Sequence, residues 1–125
     1  MVLKNAKTVL IAEDEAGNFL LLKELLIDLD LNIIHCKNGQ EAVDTCKLND
    51  TIDLIIMDIK MPVMDGLEAT ELIKKFRPNL PIIALSAYAL EDEVKKFRKV
   101  FDDYVTKPLN INSLSQKIIE FLSRK

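Results

Sequence analysis

Three acids stand where apolar runs end: Glu13 and Asp14 close Val9-Leu10-Ile11-Ala12, and Asp58 closes Leu54-Ile55-Ile56-Met57. A carboxylate at such a place is held at a rim, with one side dry and the other open to a ligand. If the two runs are neighbouring parallel strands, the three carboxylates converge, which is costly unless a cation or a proton neutralises them. Hard oxygen donors that leave room for water suit Mg2+, with Mn2+ as the alternative. Asp14 and Asp58 are then expected as direct ligands, Glu13 as a ligand directly or through water, and the backbone carbonyl of Lys60 as a neutral one. Two further runs end in Leu85-Ser86-Ala87 and Thr106-Lys107-Pro108. A hydroxyl from Ser86 and a compact positive charge from Lys107, on the same rim, would surround a phosphoryl group with donors. A carboxylate attacking phosphorus there becomes an aspartyl phosphate.

Apolar runs of four or five residues alternate with segments of helical period, the pattern of a parallel sheet covered on both faces. Strands are expected near Val9–Ala12, Ile33–Cys36, Leu54–Met57, Ile82–Leu85 and Tyr104–Thr106. Phe19, Leu22, Leu26 and Leu29 recur at steps of three and four and mark one face of a first helix. Asn38-Gly39 is a turn before a second helix at Gln40 to Lys47. A third runs from Gly66 to Phe76 and is stopped by Pro78. A charged fourth helix spans Leu90 to Val100, with Val94 and Phe97 as sparse apolar positions. The fifth has Asn112 or Ser113 as its cap and Leu114, Ile118, Phe121 and Leu122 as its inner face. Five βα units with right-handed crossovers give a doubly wound α/β sandwich, one domain over residues 1–125. The strand order expected is 2-1-3-4-5, with the site outside the carboxyl ends of the first and third strands. Glu13, Asp14 and Asp58 stand at those two ends.

At 125 residues and 49% apolar content, the chain can bury a proper core. A formal net charge of −3 argues against a general nucleic-acid binder. Cys36 and Cys46 have neither zinc-site spacing nor disulfide-scaffold density and are expected as buried, reduced thiols. No secretory signal follows Met1–Lys7, and no apolar run is long enough to span a bilayer, so a cytoplasmic location is expected.

Over essentially its whole length the chain resembles the receiver domain of two-component response regulators, a flavodoxin-like fold. The resemblance rests on Glu13-Asp14, on Met57-Asp58-Ile59-Lys60-Met61-Pro62 with Met64-Asp65-Gly66, on Ser86-Ala87, and on Asp103-Tyr104-Val105-Thr106-Lys107-Pro108. It implies that a phosphohistidine on a histidine kinase or phosphotransfer protein donates its phosphoryl group to Asp58. Glu13 and Asp14 hold magnesium, Ser86 moves to bond the phosphoryl oxygens, Lys107 pairs with them, and Tyr104 is an aromatic switch that turns inward. Lys107-Pro108 is expected as a cis peptide bond. Such a domain is no enzyme beyond its own phosphorylation and autodephosphorylation. It signals through the face of the fourth helix, fifth strand and fifth helix, as a monomer or a phosphorylation-dependent dimer. Lys60, Ala87 and Tyr88 are the positions that adjust the phosphoryl lifetime, with Tyr88 expected to screen the group from water. Asn18 and the stretch around Tyr104 look like receivers of hybrid sensor kinases, which leaves a stand-alone regulator and a hybrid-kinase module both open.

The chain departs from the family at Lys99-Val100-Phe101, where many receivers carry a small residue followed by glycine. Val100 implies a different end to the fourth helix, or a strained one. The basic residues Lys95, Lys96, Arg98 and Lys99 are balanced by Glu91, Asp92 and Glu93 and read as a solvated face, with partner docking as the alternative. His35, the only histidine, has no ligand-like companion and reads as structural. Other classes fit worse. A binding-only relative would lack one of the key residues, and an aspartate-nucleophile phosphatase needs an acid where Lys60 stands. A flavin carrier needs a glycine-rich phosphate loop where Glu13-Asp14-Glu15 would repel the phosphate.

Overall fold

A computed structural model describes residues 6–87, 91–107 and 110–123. Tyr88 and Pro108 lie outside the described residues, as does the Lys107-Pro108 peptide. The elements follow in the order β1 (Thr8–Ala12), α1 (Ala16–Leu25), a 3-10 turn (Ile27–Leu29), β2 (Asn32–Cys36), α2 (Gly39–Leu48), β3 (Leu54–Asp58), α3 (Gly66–Phe76), β4 (Ile82–Ser86), α4 (Glu91–Val100), β5 (Asp103–Thr106) and α5 (Ile111–Ser123). All strand pairs are parallel and the order is β2-β1-β3-β4-β5.

Alternation along each strand divides the core between the two faces of the sheet, because successive side chains of a strand point oppositely. Leu10, Ala12, Ile55, Met57, Ile82 and Ala84 pack with Val43 and Cys46 of α2, Ala69 and Ile73 of α3, and Phe97 of α4. Val9, Ile11, Leu54, Ile56, Ile83 and Leu85 pack with Leu22 of α1 and Leu114 and Ile118 of α5. A strand buried on both sides tolerates no polar residue until it leaves the sheet, so the acids stand at strand ends.

Cys36 and Cys46 are buried and free. Burial pushes the Cys46 thiol up to about 11 and raises that of Cys36, so both remain protonated packing groups.

Local polar contacts fix the helix starts. Asn38 Oδ1 accepts from the Glu41 amide while Glu41 Oε1 accepts from the Lys37 amide, and Asp65 Oδ1 accepts from the Glu68 amide. At α5 the cap is Asn110, whose Oδ1 accepts from the Ser113 amide, and not Asn112 or Ser113. Those two lie inside the helix. The first helix also ends earlier than its leucine spacing suggests: Leu29 belongs to the 3-10 turn, which Asp30 terminates at φ 52°. Asp tolerates that left-handed conformation better than most residues.

Val100 is helical, and α4 ends without a left-handed residue there. Phe101 and Asp102 fix the end instead. Phe101 is buried edge-on to Phe97, with ring centroids 6.0 Å apart, and its amide bonds the Phe97 carbonyl. Asp102 then splices the chain to β4: its amide donates to the Ile82 carbonyl at 3.0 Å, and its Oδ2 accepts from the Ile82 amide and Lys74 Nζ. No glycine is needed where a buried ring and an aspartate bonded through both its amide and its carboxylate set the exit.

Candidate functional site

Asp58 ends β3, and its neighbours on either side in the sheet, β1 and β4, bring Glu13 and Ser86 to the same rim. The three acids Glu13, Asp14 and Asp58 each offer an oxygen within 4.8 Å of the others. Their exposures differ: Glu13 is 1% exposed, Asp58 5%, and Asp14 is open to solvent. Two acids therefore form a dry floor and one a wet lip.

Lys107, just beyond β5, leans over that floor. Its Nζ lies 3.4 Å from Asp58 Oδ2 and 3.8 Å from Glu13 Oε1. Its amide donates to the Ser86 carbonyl at 2.7 Å, which locks the β5 end to the β4 end. One ammonium does not neutralise two buried carboxylates. Glu13 is accordingly pushed up to about 7, first by burial and then by the neighbouring Asp58 carboxylate, with Lys107 partly opposing. Glu13 Oε1 is buried and has no hydrogen-bond partner among the described residues. An orphaned carboxylate oxygen facing two other acids fits a divalent cation, and the donor set is all oxygen, as Mg2+ requires.

The loop after Asp58 is held close to it. The Ile59 amide bonds the Leu85 carbonyl at 3.1 Å, and the Gly66 amide returns to the Ile59 carbonyl at 2.9 Å. Between them Val63 adopts φ 71° while the Met64 amide bonds the Pro62 carbonyl at 2.7 Å, the pattern of a tight γ-turn. Lys60 is exposed on this loop two residues past Asp58, and Ala87 is exposed just past Ser86. At Gly66 a Cβ would press on the Asp58 carbonyl and the Met57 side chain. Gly66→Ala is therefore expected to cost about 2 kcal/mol of stability, in the range of forced overpacking, as read by urea unfolding. The same variant should shift the Asp58 backbone at the rim.

Ser86 is buried at the β4 end, in register with Thr106. Tyr104 is half-buried, packs on the core, and has the Arg98 guanidinium 5.8 Å from its ring centroid. Among the described residues, the structure thus gathers Glu13, Asp14, Asp58, Ser86 and Lys107 at one rim and places Tyr104 further back along β5, opposite Ala84. One contact behind this rim was not legible in sequence. His35 Nε2 is 2.8 Å from the Glu13 carbonyl oxygen, and its ring stacks on Phe19 at 3.7 Å. Only the pairing of β2 with β1, which sets His35 beside Ile11, would have flagged it.

Residues 9–119 match the response regulator receiver domain family, and the chain belongs to that family. It is 37% identical over 117 residues to the autoinducer 1 sensor kinase/phosphatase LuxN of Vibrio harveyi, covering 94% of this chain and 14% of that protein. The chain thus spans about one seventh of such relatives. Among solved structures, it superposes with TM-score 0.86 on the receiver domain of sensor histidine kinase PA1611 from Pseudomonas aeruginosa, at 27% identity over 95% of this chain and 99% of that one. That structure has a magnesium ion coordinated in its active-site cleft. It also superposes with TM-score 0.83 and 33% identity, over 93% of this chain and 88% of the other, on the receiver domain of the Saccharomyces cerevisiae response regulator Ssk1, crystallised with the histidine phosphotransfer protein Ypd1. This protein is a receiver domain of two-component signalling, and no helix among its described residues is long and apolar enough to cross a membrane.

Proposed function

We propose that Asp58 is the phosphoacceptor, taking a phosphoryl group from a phosphohistidine on a histidine kinase or phosphotransfer protein in a Mg2+-dependent reaction. The observation that carries this is the convergence of three carboxylates beneath a single lysine that reaches both buried acids. An Asp58 oxygen forms the new P–O bond while the P–N bond of the donor breaks, its electron pair remaining on the imidazole, which takes up a proton. Magnesium, when held by Glu13, Asp14, Asp58 and the Lys60 carbonyl, supplies positive charge to the phosphoryl oxygens and offsets their repulsion from the acids. Lys107 Nζ already sits against Asp58 and stabilises the charge that the carboxylate gains. In this reading the Ser86 hydroxyl, at the buried end of β4, donates to a phosphoryl oxygen.

Phosphorylation adds charge and acceptor oxygens at Asp58, so the state that draws Ser86 and Lys107 toward them is favoured. Tyr104 follows Ser86 inward and leaves the Arg98 guanidinium, changing the face built from α4, β5 and α5. That face is the proposed output surface toward a downstream protein or output domain. The relation to sensor-kinase relatives favours a second context for the same chemistry, a receiver module of a hybrid kinase in the cytoplasm.

The test is incubation with Mg2+ and a small acyl phosphate, followed by intact mass. One phosphoryl group, stable to acid and labile to base, is expected, and chelation should prevent its addition. A base-stable adduct, or none from a donor that phosphorylates a control receiver, would overturn the proposal.

A further inference from the structure

We propose that His35 is a positioning residue for the divalent-cation site, acting through the peptide unit that joins Glu13 to Asp14. The inference rests on the magnesium proposal above and adds a residue that contacts no ligand itself. His35 Nε2 lies 2.8 Å from the Glu13 carbonyl oxygen, an acceptor only, so this nitrogen carries the proton and donates it. The Glu13 amide in turn donates to the Cys36 carbonyl at 2.9 Å. Both polar backbone groups of Glu13 are thus tied to the end of β2.

The carbonyl of Glu13 and the amide nitrogen of Asp14 belong to one planar unit, so holding the oxygen fixes the direction in which Asp14 leaves. One hydrogen bond therefore orients two acids of the cation site, the buried one and the exposed one. The donor is itself aimed by a third element. The imidazole stacks on Phe19 of α1, with centroids 3.7 Å apart and planes within 3° of parallel. Phe19 also anchors the first turn of α1, its amide bonding the Glu15 carbonyl at 3.0 Å. Phe19, His35 and Glu13 form a brace across α1, β2 and the loop that carries the acids.

Glu13 is 1% exposed, so its carbonyl has little water to turn to if the donor is lost. The peptide would rotate to find a partner, and Asp14 would rotate with it. Hydrogen bonds behind metal ligands are worth about ten- to a hundredfold in metal affinity, and the lower end applies to a contact made through backbone.

The experiment titrates Mg2+ into the full unphosphorylated chain by calorimetry. His35→Phe keeps a ring against Phe19 and removes the donor; His35→Gln restores a donor. The Mg2+ dissociation constant should rise about tenfold in His35→Phe and recover at least partly in His35→Gln. The phosphorylation rate at saturating Mg2+ should stay near wild type, so that the defect lies in the Mg2+ required and not in the maximal rate. A merely structural histidine would lower the melting temperature and leave the Mg2+ constant in place. Wild-type Mg2+ affinity in folded His35→Phe, or no recovery in His35→Gln, overturns the role of His35. If His35→Phe does not fold, Phe19→Leu decides: weaker Mg2+ binding supports the brace and unchanged binding overturns it. Failure of the wild type to bind Mg2+ overturns the magnesium proposal and this one together.

Discussion

Asp58→Asn protein is expected to take no phosphoryl group from an acyl phosphate or a phosphohistidine donor, while folding at least as stably as the wild type when metal is absent. The amide has nearly the shape of the acid, and the backbone bonds that hold this position, from the Ile59 amide to the Leu85 carbonyl and from the Gly66 amide to the Ile59 carbonyl, do not involve the side chain. What is lost is an anionic oxygen that can form a mixed anhydride with phosphorus. What is relieved is repulsion between two carboxylates that share one lysine. That relief, less the lost Lys107 contact, is worth on the order of 1 kcal/mol. Acid-quenched labelling reads the first effect and urea unfolding in a chelator reads the second. A labelled mutant would mean that the nucleophile lies elsewhere; a destabilised one would mean that the Lys107–Asp58 contact outweighs the crowding.

The strands were legible because each is a run of residues with no polar alternative. Leu54, Ile55, Ile56 and Met57 are all fully buried, and the only place for Asp58 is the end of the run. The convergence of the rim residues followed from topology, since parallel strands put all their carboxyl ends on one side. Where several local signals competed, the sequence was ambiguous. Asn110, Asn112 and Ser113 can all cap a helix, and the path of the chain out of β5 selects Asn110. Leu29 continues the leucine spacing, yet α1 ends at Leu25 and Leu29 falls in the 3-10 turn that Asp30 closes. At Val100 the expected glycine is replaced by long-range anchoring through Phe101 and Asp102, which no local pattern reveals. His35 was invisible for the same reason: its meaning lies in a carbonyl 22 residues away in sequence.

Glu13 should make the metal-free protein less stable as pH rises from about 4.5 to about 7, the reverse of the usual behaviour of a salt-bridged acid. In the unfolded chain this carboxyl ionises near 4.5; in the fold, burial and Asp58 raise it to about 7. Below the lower value both states hold the proton and nothing is lost. Between the two the folded state keeps a proton that the unfolded chain has released, so unfolding gains ground with each pH unit; above about 7 both are ionised and the loss is complete. A shift of this size corresponds to on the order of 3 kcal/mol, or roughly 10 °C in melting temperature for a domain of this length. Mg2+ favours the ionised form, so the slope should flatten when it is added. Its apparent affinity should climb up to tenfold per pH unit until about pH 7 and then level, because binding displaces the Glu13 proton. Melting curves in chelator and in Mg2+ at several pH values, for the wild type and Glu13→Gln, isolate this group from the others. The wild type minus Glu13→Gln difference should carry the slope. A difference that stays flat between pH 5 and 7 would mean that Lys107 holds Glu13 ionised, and that the lysine, not the proton or the metal, balances the buried pair.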